Sequence, residues 1–150
     1  MNASLTMAST NSSATNAGEA FGRLASSYDE DFESLPAARR LRRIVWDIYL
    51  RYFKSGDSLI ELNCGSGTDA LALAQQGMRV HATDISDAML DALVRKVSRS
   101  PQKDLVTVQR LAFDELNILR GRMFAGVYSN MGGLNCEENL RRVATDLHTL

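Results

Sequence analysis

Two carboxylates and two glycines at fixed spacing are the residues of this chain best placed to do chemistry. Glu61 opens the run Glu61-Leu62-Asn63-Cys64-Gly65-Ser66-Gly67, and Asp84 stands nineteen residues beyond Gly65. Glycines in a tight turn let backbone approach a ligand closely, and the helix that follows points its free N–H groups at the same place. An acidic side chain about 20 residues on, at the end of the neighbouring strand, reaches a ribose diol and accepts its hydroxyl hydrogen bonds. Ile85 and Met89 beside Asp84 are placed to pack on an adenine face, and Met89 reads equally well as core. A nicotinamide dinucleotide wants G-x-G-x-x-G; Asn63, Gly65 and Thr68 occupy those positions, so the fingerprint matches once.

These residues need a strand, a turn and a helix to hold them. Leu59 to Leu62 has the apolar pattern of a first strand, and Thr68 to Gln76, with Ala70, Ala72 and Ala74, that of a slim crossover helix ended by Gly77. Arg79 to Asp84 alternates as a second strand. Ser86 is a cap for a helix with Met89, Leu90, Leu93, Val94 and Val97 on its apolar face, and Pro101 closes the segment. Leu105 to Val108 is a third strand, Phe113 to Leu119 a connection or short helix, and Phe124 to Asn130 a fourth strand. Asn135 with Glu138 has the form of a capping box before a last helix striped by Leu140, Val143, Leu147 and Leu150. Strands alternating with helices require a parallel sheet with right-handed crossovers, in the order 3-2-1-4. The crevice at the end of the first strand is then the topological switch point, where such sheets bind ligands.

Upstream, Pro36 sits at a first helical position. Leu41, Ile44, Val45, Ile48, Tyr49 and Tyr52 recur as one buried stripe on a long helix stopped by Gly56. Arg39, Arg40, Arg42 and Arg43 on that helix read as a solvated basic face. Residues 20–29 form a short helix or cap, and residues 1–19, rich in Asn, Ser, Thr and Ala, a disordered tail. The expected organisation is tail 1–19, helical cap 20–57 and cofactor-binding domain 58–150.

The 150 residues suit one domain, and a formal net charge of -1 offers no general attraction to nucleic acid or anionic membrane. The expected partner is a small molecule. Cys64 and Cys136 lie far apart without metal-ligand spacing, which suggests neither a disulfide framework nor a metal site and fits a reducing, cytoplasmic setting. No run approaches the roughly 20 apolar residues of a membrane span.

From Ala20 onward the chain resembles the class I S-adenosylmethionine-dependent methyltransferases. The acidic-x-G-x-G-x-G motif is present as Glu61 to Gly67, with Asn63 in place of the first glycine, a residue that tolerates left-handed backbone geometry. Phe21 to Ala25 with Tyr28-Asp29 looks like the segment that covers the cofactor, Thr83 to Leu90 like the ribose-binding strand end and its helix, and Ser129 to Asn135 lies at the fourth-strand position. The resemblance implies a Rossmann-like α/β fold with S-adenosyl-L-methionine as cofactor and methyl transfer to a small-molecule acceptor. It implies that Glu61 and the backbone of Asn63, Cys64, Gly65, Ser66 and Gly67 hold the methionine part, that Asp84 holds the ribose and that Asn130 faces the sulfonium or the amino group. Where many members place an acid against the adenine amino group this chain has Leu111, leaving backbone at Ala112 and Phe113, or the side chain of Asp114, as the alternatives.

No general acid or base is assigned: His81 and His148 read as structural or solvated, and Cys64 as a small buried residue. The two other functions the residues permit are a cofactor-binding module without activity and a nicotinamide-dependent oxidoreductase. Leu150 is still on the apolar stripe with no stop signal, and members usually add about three more strands, so the chain reads as incomplete after its fourth strand. On that expectation it binds the cofactor weakly or not at all, with little activity.

Overall fold

A computed structural model describes residues 13–25 and 27–150. Three helices lead: α1 (Ser13–Leu24), α2 (Tyr28–Ser34) and α3 (Pro36–Tyr52). They are followed by β1 (Ser58–Leu62), α4 (Thr68–Gln75), β2 (Arg79–Asp84), α5 (Asp87–Val97), β3 (Val106–Arg110), β4 (Gly126–Ser129) and α6 (Leu140–Leu147). The strands form one parallel sheet in the order β3-β2-β1-β4, as the alternation of elements requires. Short 3₁₀ turns occupy Phe113–Leu119, between β3 and β4, and Gly133–Cys136, after β4.

The strands bury both faces. Leu59, Val80 and Ala82 pack with Ala70, Leu73 and Ala74 of α4 and Leu90 and Leu93 of α5. On the opposite face Ile60 and Leu62 meet Leu116, Leu119 and Val143. Small alanines let α4 lie close to the sheet, and Gly67 lets α5 do the same: a Cβ there would strike Leu93. Gly18 and Gly22, one turn apart on α1, clear Ile85 and Ser86 in the same way, so α1 lies across the start of α5.

Four local expectations change. Helix α1 begins at Ser13, inside the stretch expected as a tail to residue 19; residues 1–12 lie outside the described residues. Helix α3 starts at Pro36 as expected, but it is rotated: Arg42 is buried at 5% exposure and Trp46 and Tyr49 are half-buried, while Leu41, Ile44, Ile48 and Tyr52 are exposed. Apolar residues surround this helix on more than one side, so periodicity alone selects no unique face, and the buried partner Asp69 decides it. Val94 and Leu140 are also exposed rather than on buried stripes. The last helix is capped by Asn139, whose Oδ1 accepts from Arg142 N–H at 3.0 Å, and not by Asn135, which lies in the preceding 3₁₀ turn. Among the described residues no helix is long and apolar enough to cross a membrane.

Candidate functional site

At the carboxyl ends of β1, β2 and β4 the chain encloses a recess of about 990 Å³, counted out to its open mouth. Every residue expected to bind a cofactor lines it except Gly67, which serves helix packing. The turn after β1 is left-handed at Asn63 (φ 51°), Gly65 (φ 53°) and Gly67 (φ 77°), so Asn does stand where a glycine conformation is needed. Its side chain crosses to β4, donating to Asn130 C=O at 3.0 Å and accepting from the Ser129 hydroxyl, and Gly133 leaves it room.

One pole of the recess is charged. Glu61 is fully buried on β1, and burial first, then the charge of Asp69, pushes its carboxyl well above the ordinary range. Glu61 Oε2 and the Arg42 Nε are buried without a hydrogen-bond partner, as is the Tyr128 hydroxyl, which lies near Glu61 without closing a bond of good geometry. Arg42 places one Nη 3.6 Å from Asp69 and its guanidinium 4.5 Å over the Phe32 ring. Asp69 holds the pole together: Trp46 Nε1–H donates to it at 2.7 Å and Asn130 Nδ2–H at 2.7 Å. Asn130 also accepts from Met131 N–H at 2.8 Å, so its amide is engaged in joining β4 to α4.

The middle and the far pole are built differently. Asp84 accepts from Gly65 N–H at 2.8 Å and from Ser86 N–H at 2.9 Å, one bond to each oxygen. A carboxylate retains further lone pairs for a diol after two such bonds. Burial nevertheless raises this carboxyl against the backbone donors that lower it. Beyond Asp84 the walls are Ile85, Met89, Leu111, Phe113 and Leu116. Asp114 is exposed and does not line the recess, and Ala112 N–H is taken by Glu115 Oε2 at 2.8 Å.

Over the turn lies the N-terminal cover, with Gly18, Phe21 and Tyr28 facing inward. Phe21 meets Tyr28 edge-on at 6.4 Å, and burial raises the Tyr28 hydroxyl above its usual value. Asp29 fastens the cover: it accepts from the Ser66 hydroxyl, from Thr68 Oγ1 at 3.1 Å and from Lys96 Nζ at 2.7 Å. Burial opposes ionisation of Asp29, but the bonds from Lys96 and Ser66 outweigh it and hold the carboxyl below its usual range. Neither histidine lines the recess. His81 lies on β2 between Thr107 and Gln109, and burial, then the charge of Arg122, pushes its imidazole below the ordinary value. Burial pushes the Cys64 thiol well up, as a structural residue requires.

In the sequence Arg42 reads as part of a solvated basic face, which its burial corrects, and Trp46 and Asp69 are not singled out. Their signal was the Arg42, Trp46, Tyr49 spacing along one helical line, which competes with a more hydrophobic line beside it.

The sequence pattern of the methyltransferase domain family matches residues 59–150. Over 101 residues the chain is 33% identical to a demethylmenaquinone methyltransferase of Symbiobacterium thermophilum, covering 61% of this chain and 38% of that one. Among solved structures it is similar to the cyclase SpnF, with a TM-score of 0.74 at 15% identity, over 93% of this chain and 56% of that one. It is similar also to the glycopeptide N-methyltransferase MtfA complexed with S-adenosyl-L-methionine, with a TM-score of 0.57 at 20% identity, over 69% and 47%. The chain thus spans little more than a third of the curated relative's length, and the two structural likenesses carry the fold alone. On the match over residues 59–150, the chain belongs to the methyltransferase domain family, the class I S-adenosylmethionine-dependent kind.

Proposed function

We propose that the recess binds S-adenosyl-L-methionine and serves methyl transfer to a small-molecule acceptor. The observation that carries this is the pair of buried, unpartnered polar atoms at one pole, Glu61 Oε2 and Arg42 Nε. A buried polar atom without a partner is costly, and one carboxylate beside one guanidinium is the complement of an amino-acid zwitterion. Glu61 takes the ammonium and Arg42 the carboxylate. Asp84 then takes the ribose diol, and Ile85 and Met89 the base. Asn63, Cys64, Gly65 and Ser66 offer the closely approaching backbone of the turn, while Asn130 positions Asp69.

The cofactor, when bound, supplies an activated methyl group, so the protein's part is to align an acceptor and exclude water. Tyr28, Phe21 and Gly18 form the water-excluding cover, fastened by Asp29. On this reading residues 58–150 carry most of the cofactor site, Arg42 of α3 completes its charged pole, and α1 and α2 cover it. The oxidoreductase alternative gains no support from the family match.

The lining holds a charged pole, the Asp84 carboxylate and an apolar wall, so binding is expected to be measurable with this chain. Calorimetric titration with S-adenosylhomocysteine should give saturable binding, lowered of order a hundredfold in Glu61→Gln, the loss typical of truncating one partner of a buried charge pair. Protons should be released on binding, because Glu61 ionises against the incoming ammonium; heats measured in buffers of different ionisation enthalpy reveal this. Saturable binding of reduced nicotinamide cofactor and none of S-adenosylhomocysteine would reverse the assignment.

A further inference from the structure

Resting on that reading, we propose that Tyr128 is a positioning residue for the cofactor: when the ammonium is bound, the Tyr128 hydroxyl donates to the Glu61 carboxylate and holds it in place. The parallel register sets Glu61 of β1 beside Tyr128 of β4, and paired residues of neighbouring strands carry their side chains on the same face of the sheet. Both residues are buried, at 2% and 5% exposure. Each also carries a buried polar atom without a hydrogen-bond partner, Glu61 Oε2 and the Tyr128 hydroxyl. Buried polar groups are nearly always paired, so two such atoms on adjacent side chains call for one bond between them.

The Tyr128 ring is packed from α3, with the Tyr49 ring centroid 5.0 Å away and that of Phe53 6.4 Å away. The other titratable and charged groups facing Glu61 are Asp69 of α4, Asp84 of β2, Cys64 of the turn, and Arg42 and Tyr49 of α3. Asp69 and Asp84 oppose a charge on Glu61, whereas Arg42 favours it. The Cys64 thiol is turned to Gly65 C=O at 3.5 Å. Of the two phenols, Tyr128 is the strand neighbour of Glu61. Burial, then the Glu61 charge, pushes the Tyr128 hydroxyl well above its ordinary value, so it keeps a proton to donate.

A protonated carboxyl both donates and accepts, whereas a carboxylate only accepts. As the ammonium arrives Glu61 gives up its proton to solvent and then needs donors; the ammonium is one and Tyr128 is the other. A hydrogen bond to the charged form lowers the cost of that ionisation, and bonds to charged groups are the stronger kind. Burial and Asp69 already hold the Glu61 carboxyl above its ordinary range, so removing the donor raises it further. The consequence lies on the acid side. Where Glu61 is ionised before the ligand arrives, the bond to Tyr128 is present in both states and cancels from the affinity.

The test is calorimetric titration of wild type and Tyr128→Phe with S-adenosylhomocysteine across a range of pH, with denaturant unfolding of both empty proteins. The substitution keeps the ring and removes an unpartnered buried hydroxyl, so the empty variant should be no less stable than wild type; a clear loss of stability assigns the hydroxyl to the empty fold and overturns the proposal. The two affinities should converge at alkaline pH and part as pH falls, to a loss of about tenfold in the variant. Asp84 and Asp29 titrate in both proteins, so the difference between the profiles isolates Tyr128. A loss equal at every pH, or no loss, overturns the role given to Tyr128 and leaves the cofactor reading standing; absence of binding by wild type overturns both. Tyr49→Phe, which removes the other phenol facing Glu61, should follow the wild-type profile, and a displacement equal to that of Tyr128→Phe overturns the assignment.

Discussion

The two poles of the recess are both buried, yet only one of them declares a ligand. At the apolar pole Met89, Leu111 and Leu116 are all buried, and Leu111 and Leu116 belong to the core on the Ile60 and Leu62 face of the sheet. Their contacts satisfy them with or without a ligand. At the charged pole Glu61 and Arg42 are equally buried and carry atoms with no partner. Unmet hydrogen bonds cost free energy in the folded protein, whereas apolar walls do not, so the first kind of residue points to something bound and the second cannot. This is why Met89 reads equally as core or as adenine wall in the sequence, while Glu61 does not read as core at all.

The comparison is broken most severely at Asp69, the residue that balances the charged pole. Asp69→Ala removes the partner of Arg42, Trp46 and Asn130 together and leaves a buried guanidinium uncompensated. Denaturant unfolding should register a loss of about 3–5 kcal/mol. Met89→Ala at the other pole should lower stability by about 2–3 kcal/mol through the cavity it leaves in the packing. The contrast is Glu61→Gln, which should lose affinity while keeping stability, because a neutral amide escapes the cost of ionising a buried carboxyl.

pH separates the same groups with opposite signs. Glu61 has its carboxyl raised in the fold, so wild type should lose stability relative to Glu61→Gln as pH rises above the ordinary carboxylate value. Asp29 has its carboxyl lowered, so its contribution is present above the ordinary value and fades as pH falls through the folded one. Asp29 and Lys96 are both partly exposed, so Asp29→Asn should cost no more than about 1 kcal/mol at neutral pH, and less at high salt. Its larger effect should be faster proteolysis of the helices that cover the recess, measured by limited digestion.

Much of the architecture was legible from local patterns. The strand-turn-helix around Glu61 to Thr68, the strand at Arg79 to Asp84 and the cap at Ser86 follow from period, small residues and capping chemistry, which act over a few residues. The strand order followed from handed crossovers. The orientation of α3 was not legible, because it is decided by a contact with Asp69 twenty-three residues beyond Trp46. Arg42 was accordingly read as solvated when it is the buried cation of the site. Asn130 was legible as a strand-end residue facing the recess, but its engagement by Asp69 and Met131 depends on neighbours that only the fold supplies. The cap at Asn139 rather than Asn135 turned on four residues of 3₁₀ turn that leave little periodic trace.

The central claim is that the charged pole receives an amino-acid zwitterion and the apolar pole a purine. Its most direct test is the affinity of S-adenosylhomocysteine set against that of 5′-methylthioadenosine, which carries the base, sugar and sulfur without the amino acid. S-adenosylhomocysteine should bind of order a hundredfold more tightly to wild type, and Glu61→Gln should close most of that gap. Equal affinities for the two compounds in wild type, or a gap that survives in Glu61→Gln, would contradict the account.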